Sequence, residues 1–189
     1  MKFILPLVCF FFFAGTISAQ AQVPFNRNPQ FNKTLSPYHN DRNNPDKNLK
    51  INPAYNWHLN PNSNAAINPA SNALINPKLN TNINPHYNDL INPLRALGLN
   101  PLMNPNWVGY YLFDKEGEHI GYYVNANQLV TLWFNVKGKW LGYLVQTDTK
   151  TYNLFNLEDE WTGVYGCSDS DSGINLFNKE GEWTGEYAR

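Results

Sequence analysis

Apolar residues follow two rhythms along this chain. From residue 27 to residue 106 an Ile or Leu opens eight of ten octads, followed by Asn, Pro and, four places after that Asn, a second Asn. Proline returns at 29, 37, 45, 53, 61, 69, 77, 85, 93 and 101 without a slip, and the residue before it is Asn in nine of ten octads, Ser36 being the exception. From Trp107 the rhythm becomes alternation of apolar and polar residues in short runs, broken by Asp or Asn and Gly. That pattern predicts strands joined by tight turns.

Fixed periods mark a repeat array, so each half is read as copies of one unit. In the octads helix is excluded, because a proline every eight residues removes a backbone donor and clashes with the preceding turn. Asn before Pro favours extended geometry, and Asn-Pro suits the first two positions of a type I turn, with the Asn side chain bonding the backbone beyond it. Each octad therefore predicts one turn followed by about three extended residues. One Ile or Leu per octad buries about 2 kcal/mol of apolar side chain, whereas ordering eight backbones costs several times that. The expectation for residues 27–106 is accordingly a largely irregular, turn-rich or disordered tether, with a turn spiral or a solenoid as ordered alternatives. His39, His58 and His86 fall at different octad places and form no column of metal ligands.

In residues 107–189 four copies align on Phe113, Phe134, Phe155 and Phe177, each followed by a turn and a second arm containing His119, Trp140, Trp161 or Trp183. Gly117, Gly138 and Gly181 close three of the turns, with Asp159 in the remaining copy. A type I turn ending in a left-handed bulge residue predicts the cross-strand pairs Phe113 with His119, Phe134 with Trp140, Phe155 with Trp161 and Phe177 with Trp183. A lone hairpin is marginal in water, so the four must pack together. The fold class is all-β: about four aromatic hairpin repeats, stacked as a solenoid or joined as a curved meander, with room for a third short strand per repeat. The glycine two residues past each Trp is expected to leave a gap where an aromatic group or a ligand lies flat.

Residues 1–21 have the layout of a secretory signal peptide: Lys2, an apolar run from Phe3 to Phe13, then Ala19-Gln20-Ala21, too short to span a bilayer. A short leader, 22–26, precedes the octads. The mature chain then carries Cys167 alone and holds no intramolecular disulfide; burial is its expected state. Residues 22–106 carry seven basic and three acidic side chains, net +4, and residues 107–189 six and twelve, net −6. Neither half has the dense basic patch of a nucleic-acid binder.

The short Asn-Pro phrase resembles the tandem turn repeats of some parasite and bacterial surface proteins. The phrases Tyr110-Tyr111-Leu112-Phe113-Asp114-Lys115-Glu116-Gly117 and Leu176-Phe177-Asn178-Lys179-Glu180-Gly181-Glu182-Trp183-Thr184-Gly185 resemble the aromatic and glycine repeats of bacterial cell-wall-binding modules of the choline- or glucan-binding type. The second arm also resembles MORN-type hairpin repeats. These likenesses imply an envelope ligand such as choline, glucan or a lipid headgroup.

From the residues themselves, Trp140, Trp161, Trp183, Tyr143, Tyr165 and Tyr187 are the candidate stacking platforms for sugar rings or quaternary ammonium groups, set against service as a hydrophobic core. The run Asp169-Ser170-Asp171-Ser172-Gly173 alternates carboxylates but lacks the rest of a calcium loop, and reads as a polar connection. No catalytic motif, cofactor site or metal site is apparent. The expected protein is secreted or surface-exposed and non-catalytic, binding carbohydrate or another envelope ligand through its hairpins. The alternative is a structural or adhesive matrix protein whose octads self-associate.

Overall fold

In a computed structural model residues 21–148 and 150–189 are described; the signal-peptide reading lies outside them, Ala21 excepted. The aromatic repeats form eight antiparallel strands: β1 Tyr110–Phe113, β2 His119–Asn125, β3 Val130–Asn135, β4 Trp140–Gln146, β5 Thr151–Phe155, β6 Trp161–Ser168, β7 Ile174–Phe177 and β8 Trp183–Ala188. Each pairs with the next, and β8 returns to β1, closing a barrel. The chain is thus all-β, but closure replaces the expected solenoid or meander. Each repeat has two strands: the stretches read as space for a third are taken up by continuing β2 into β3 and β4 into β5. Four hairpins solve the edge problem jointly, since a closed sheet leaves no unpaired edge.

The local turn reading holds. Phe113 faces His119, Phe134 faces Trp140, Phe155 faces Trp161 and Phe177 faces Trp183. Gly117, Gly138, Asp159 and Gly181 all have positive φ, the conformation a left-handed bulge residue requires. The expected gaps beside Gly121 and Gly142 are filled, whereas Gly163 and Gly185 have positive φ and lie against the side chains of Lys179 and Lys115. A Cβ at Gly121 would stand 2.4 Å from the Phe134 carbonyl oxygen, and one at Gly142 2.5 Å from that of Phe155, so these glycines admit the neighbouring strand's backbone.

Alternation divides the barrel residues into two faces. Leu112, Tyr123, Leu144, Leu154, Leu176 and Ala188 form one buried cluster. The opposite face carries Tyr122, Leu132, Phe134, Tyr143, Val145 and Phe155, and these cluster with Ile67, Ile75, Ile83 and Ile91 of the octads. An eight-stranded barrel is just wide enough inside for its own side chains, so the octads lie outside it, as a belt.

The belt runs against the strand order. Arg189 Nε, after β8, donates to the Arg27 carbonyl; Asn175 Nδ2 on β7 to that of Leu35; Cys167 Sγ on β6 to that of Ile51; and Asn153 Nδ2 on β5 to that of Leu59. At the far end Trp107 stacks edge-on against Tyr111 and Tyr122 on β1 and β2. Octad places one to three are buried or half-buried in nearly every copy, while places four, five, seven and eight face out.

Asparagine makes this backbone repeat regular. In the octad at Asn76 the carbonyl accepts from the amides of Leu79 and Asn80, Oδ1 accepts from the Lys78 amide at 2.8 Å, and Nδ2 donates to the Pro69 carbonyl at 2.9 Å. The second Asn, Asn80, accepts from the Asn82 amide and donates to the Leu74 carbonyl. One side chain thus closes its own turn and ties it to the previous octad. The apolar surface a single octad lacks comes from the aromatic outer face of the barrel.

Among the described residues two ion pairs join belt cations to barrel carboxylates, Arg27 with Asp171 and Lys78 with Asp159. The barrel seam is closed by reciprocal backbone bonds between Tyr111 and Arg189, and a buried pair, Arg189 Nη2 to Asp169 Oδ2 at 2.7 Å, ties the end of β8 to the loop between β6 and β7. Residues 169–173 form the polar connection expected between the third and fourth repeats, and within it Asp169 anchors the residue after β8. Among the described residues no helix is long and apolar enough to cross a membrane.

Candidate functional site

The six platform residues divide into two groups. Tyr143, Tyr165 and Tyr187 are fully buried between barrel and belt, each stacked on a phenylalanine: Phe155, Phe177 and Phe113 respectively. Tyr122 with Phe134 completes the set. Burial raises all four phenols, Tyr187 up to about 12. They face the belt and offer no surface to a solute.

Trp140, Trp161 and Trp183 are half-buried at the rim, beside the hairpin turns. Their indole nitrogens donate to the carbonyls of Gly142, Val164 and Glu186. Trp140 and Trp161 pack against the cluster that holds the later octad isoleucines, and Trp183 against the one that holds Ile51.

Where belt and barrel loops meet, several clefts open, among them one of about 260 Å³ at the Gly117 turn, and two of them share one plan. One, of about 360 Å³, is lined by Pro37, Tyr38, Asn44 and Asp46 from the belt and by Phe177, Gly181, Glu182 and Trp183 from the barrel. The other, of about 340 Å³, is lined by Pro85, His86, Asn92 and Leu94 from the belt and by Phe134, Lys137, Gly138, Lys139, Trp140 and Leu157 from the barrel. These are two copies of one site. The four belt residues of the second stand 48 positions after those of the first, or six octads, and the matching barrel residues are two hairpins apart. Tyr38 meets Trp183 edge-on at 5.3 Å, and His86 meets Trp140 the same way at 5.4 Å.

The copies differ in charge. Asp46 and Glu182 in the first correspond to Leu94 and Lys139 in the second, where Lys137 adds a further cation. Trp161 does not line either cleft. Its turn carries Asp159, whose Oδ1 accepts from the Tyr143 hydroxyl at 2.8 Å and whose Oδ2 lies 3.4 Å from Lys78 Nζ. At Gly138 and Gly181 the corresponding space is taken by belt side chains, those of Leu94 and Asp46.

Tyr38, Asp46, His86 and Leu94 were not identified from the sequence, which placed the candidate chemistry on the hairpins alone. Their common position, octad place four, was the available signal. Cys167 is buried, with its thiol raised well above its ordinary range by that burial. Among the described residues no three His, Cys, Asp or Glu side chains converge on a point that could hold a metal ion. No family model, curated protein or solved structure matches the chain.

Proposed function

We propose that this is an extracytoplasmic, non-catalytic binding protein that takes carbohydrate into the two seam clefts, each built from an indole edge, a belt ring and a border of polar groups. The observation that carries the reading is the duplication of the cleft: two half-exposed tryptophans, each held by its own indole hydrogen bond and faced by a ring at the same octad place. Ligand sites for sugars combine a flat apolar wall with a few placed polar groups, and both clefts have that composition. Two sites on one rigid body suit a polymeric ligand, because binding at the first raises the effective concentration at the second.

The belt's role in this reading is to complete the clefts. A glycan-array or envelope-pulldown measurement on the chain from Gln22 to Arg189 tests it. Retention on a polysaccharide, lost in the Trp140→Ala and Trp183→Ala double variant, is the expected result; no retention by the folded chain on any glycan sinks the proposal.

A second reading has one specific observation behind it. Leu74, Leu79, Tyr87, Leu90, Leu94 and Met103 are all more than half exposed on the outer side of the later octads, an apolar surface of the kind that mediates association. Light scattering across a concentration series distinguishes the two, since a strictly monomeric chain excludes self-association through this face.

A further inference from the structure

We infer that the cleft at Gly181 recognises a protonated primary amine, and that in a bound glycan this group is the ammonium of a hexosamine residue. The inference rests on the carbohydrate reading above and names the sugar class for one of its two clefts.

Two carboxylates reach this cleft, one from each side of the seam. Asp46 comes from the belt: its amide donates to Asn44 Oδ1 at 2.9 Å, and its Oδ1 lies 2.5 Å from where a Cβ on Gly181 would stand. Glu182 comes from the barrel turn, where its amide donates to Asn178 Oδ1 at 2.9 Å and its Oε2 accepts from Asn178 Nδ2 at 2.9 Å. Both residues line the cleft and are exposed, and no basic residue lines it. Among the described residues neither carboxylate is in an ion pair. Lys179, three residues before Glu182, is turned to Glu180 instead, at 3.7 Å.

The rings and the sister cleft narrow the ligand's chemistry. Tyr38, 69% exposed, meets Trp183 edge-on at 5.3 Å, and a cation beside such rings is attracted to their π faces. A carboxylate accepts hydrogen bonds and offers none. A primary ammonium answers it with several N–H donors and a full charge, whereas a sugar hydroxyl has a single neutral donor and a quaternary ammonium has no N–H at all. A hexosamine carries that ammonium on a ring whose C–H surface suits an aromatic wall. In the sister cleft the places of Asp46 and Glu182 are held by Leu94 and Lys139, with Lys137 beside them, so an ammonium is repelled there and selection falls to the Gly181 cleft alone.

The test is calorimetric titration of the full chain, at low salt and slightly acidic pH, with an oligomer of glucosamine, with the same oligomer fully N-acetylated, and with an oligolysine of equal charge. The free-amine sugar should bind about tenfold tighter than its acetylated form, and the margin should shrink as salt is added. Asp46→Asn with Glu182→Gln, in one chain confirmed folded by circular dichroism, should erase the margin while leaving the acetylated oligomer within about twofold. Equal affinity for the two sugars in the unmodified chain, a margin that survives the double substitution, or oligolysine binding as tight as the glucosamine oligomer overturns the inference and leaves the binding reading standing. If the folded chain binds neither sugar, the inference falls alone when another polysaccharide is retained, and together with the carbohydrate reading when none is.

Discussion

The Tyr143 hydroxyl donates to Asp159 Oδ1 across 2.8 Å, a bond between the core of one hairpin and the turn of the next. Asp159, with Ser172, is one of two non-glycine residues at positive φ among the described residues, and its carboxylate reaches the interlayer. Asp159→Gly relieves a left-handed side chain, worth roughly 1 kcal/mol, but orphans a buried hydroxyl, which costs about 1–3 kcal/mol. Net destabilisation of about 1 kcal/mol in urea unfolding is expected, with Asp159→Asn milder because it keeps an acceptor. An increase in stability on Asp159→Gly would show that the bond contributes nothing.

The belt's regularity is assigned to asparagine rather than to its isoleucines. Asn76 is buried and makes two side-chain bonds, so Asn76→Ala removes both at about 1 kcal/mol each. The equivalent change at Leu90, which is 81% exposed, should lie within about 0.5 kcal/mol of zero. Chemical denaturation of both variants checks the ranking.

After β8, Arg189 forms an ion pair with Asp169 of the β6–β7 loop, and the two side chains are 2% and 0% exposed. Removing one partner strands a buried charge, so Asp169→Asn should cost about 3–5 kcal/mol. Thermal unfolding reads this directly. A change below about 1 kcal/mol would mean that the end of β8 holds to the β6–β7 loop without this pair.

His119 occupies the position held by tryptophan in the other three copies. Burial pushes its imidazole below the ordinary value of 6.5, with a backbone hydrogen bond to Gly121 opposing in part. Because the folded value is the lower one, the neutral ring's contribution is complete above about pH 6.5 and is lost as pH falls through the folded value. The midpoint of thermal unfolding should therefore drop on acidification from pH 7 to pH 5, and His119→Trp should flatten that slope. Identical slopes would remove His119 as the cause.

The hairpins were legible in the sequence because their chemistry is local: four turn residues fix each pair such as Phe177 with Trp183. Closure was not, since it joins Leu112 to Ala188 across most of the domain and leaves no periodic mark. The belt was underestimated for a related reason. One Ile per octad is too little for a free-standing spiral, but Ile75 and Ile83 are buried against a barrel whose outer face is lined with Tyr and Phe. The stabilising surface lies in the other half of the chain. The same separation hid the clefts, whose walls combine Trp140 with His86 and Trp183 with Tyr38. Trp161 was grouped with its siblings by spacing, and one turn residue, Asp159, sets it apart.

The most direct measurement is calorimetric titration of a polysaccharide retained by the full chain against three single variants, Trp140→Ala, Trp183→Ala and Trp161→Ala, each confirmed folded by circular dichroism. The two cleft variants should each weaken binding at least tenfold, as expected for losing one aromatic wall and the avidity of paired sites, while Trp161→Ala binds within twofold of the unmodified chain. Equal losses in all three, or none in any, would contradict a function located in the seam clefts.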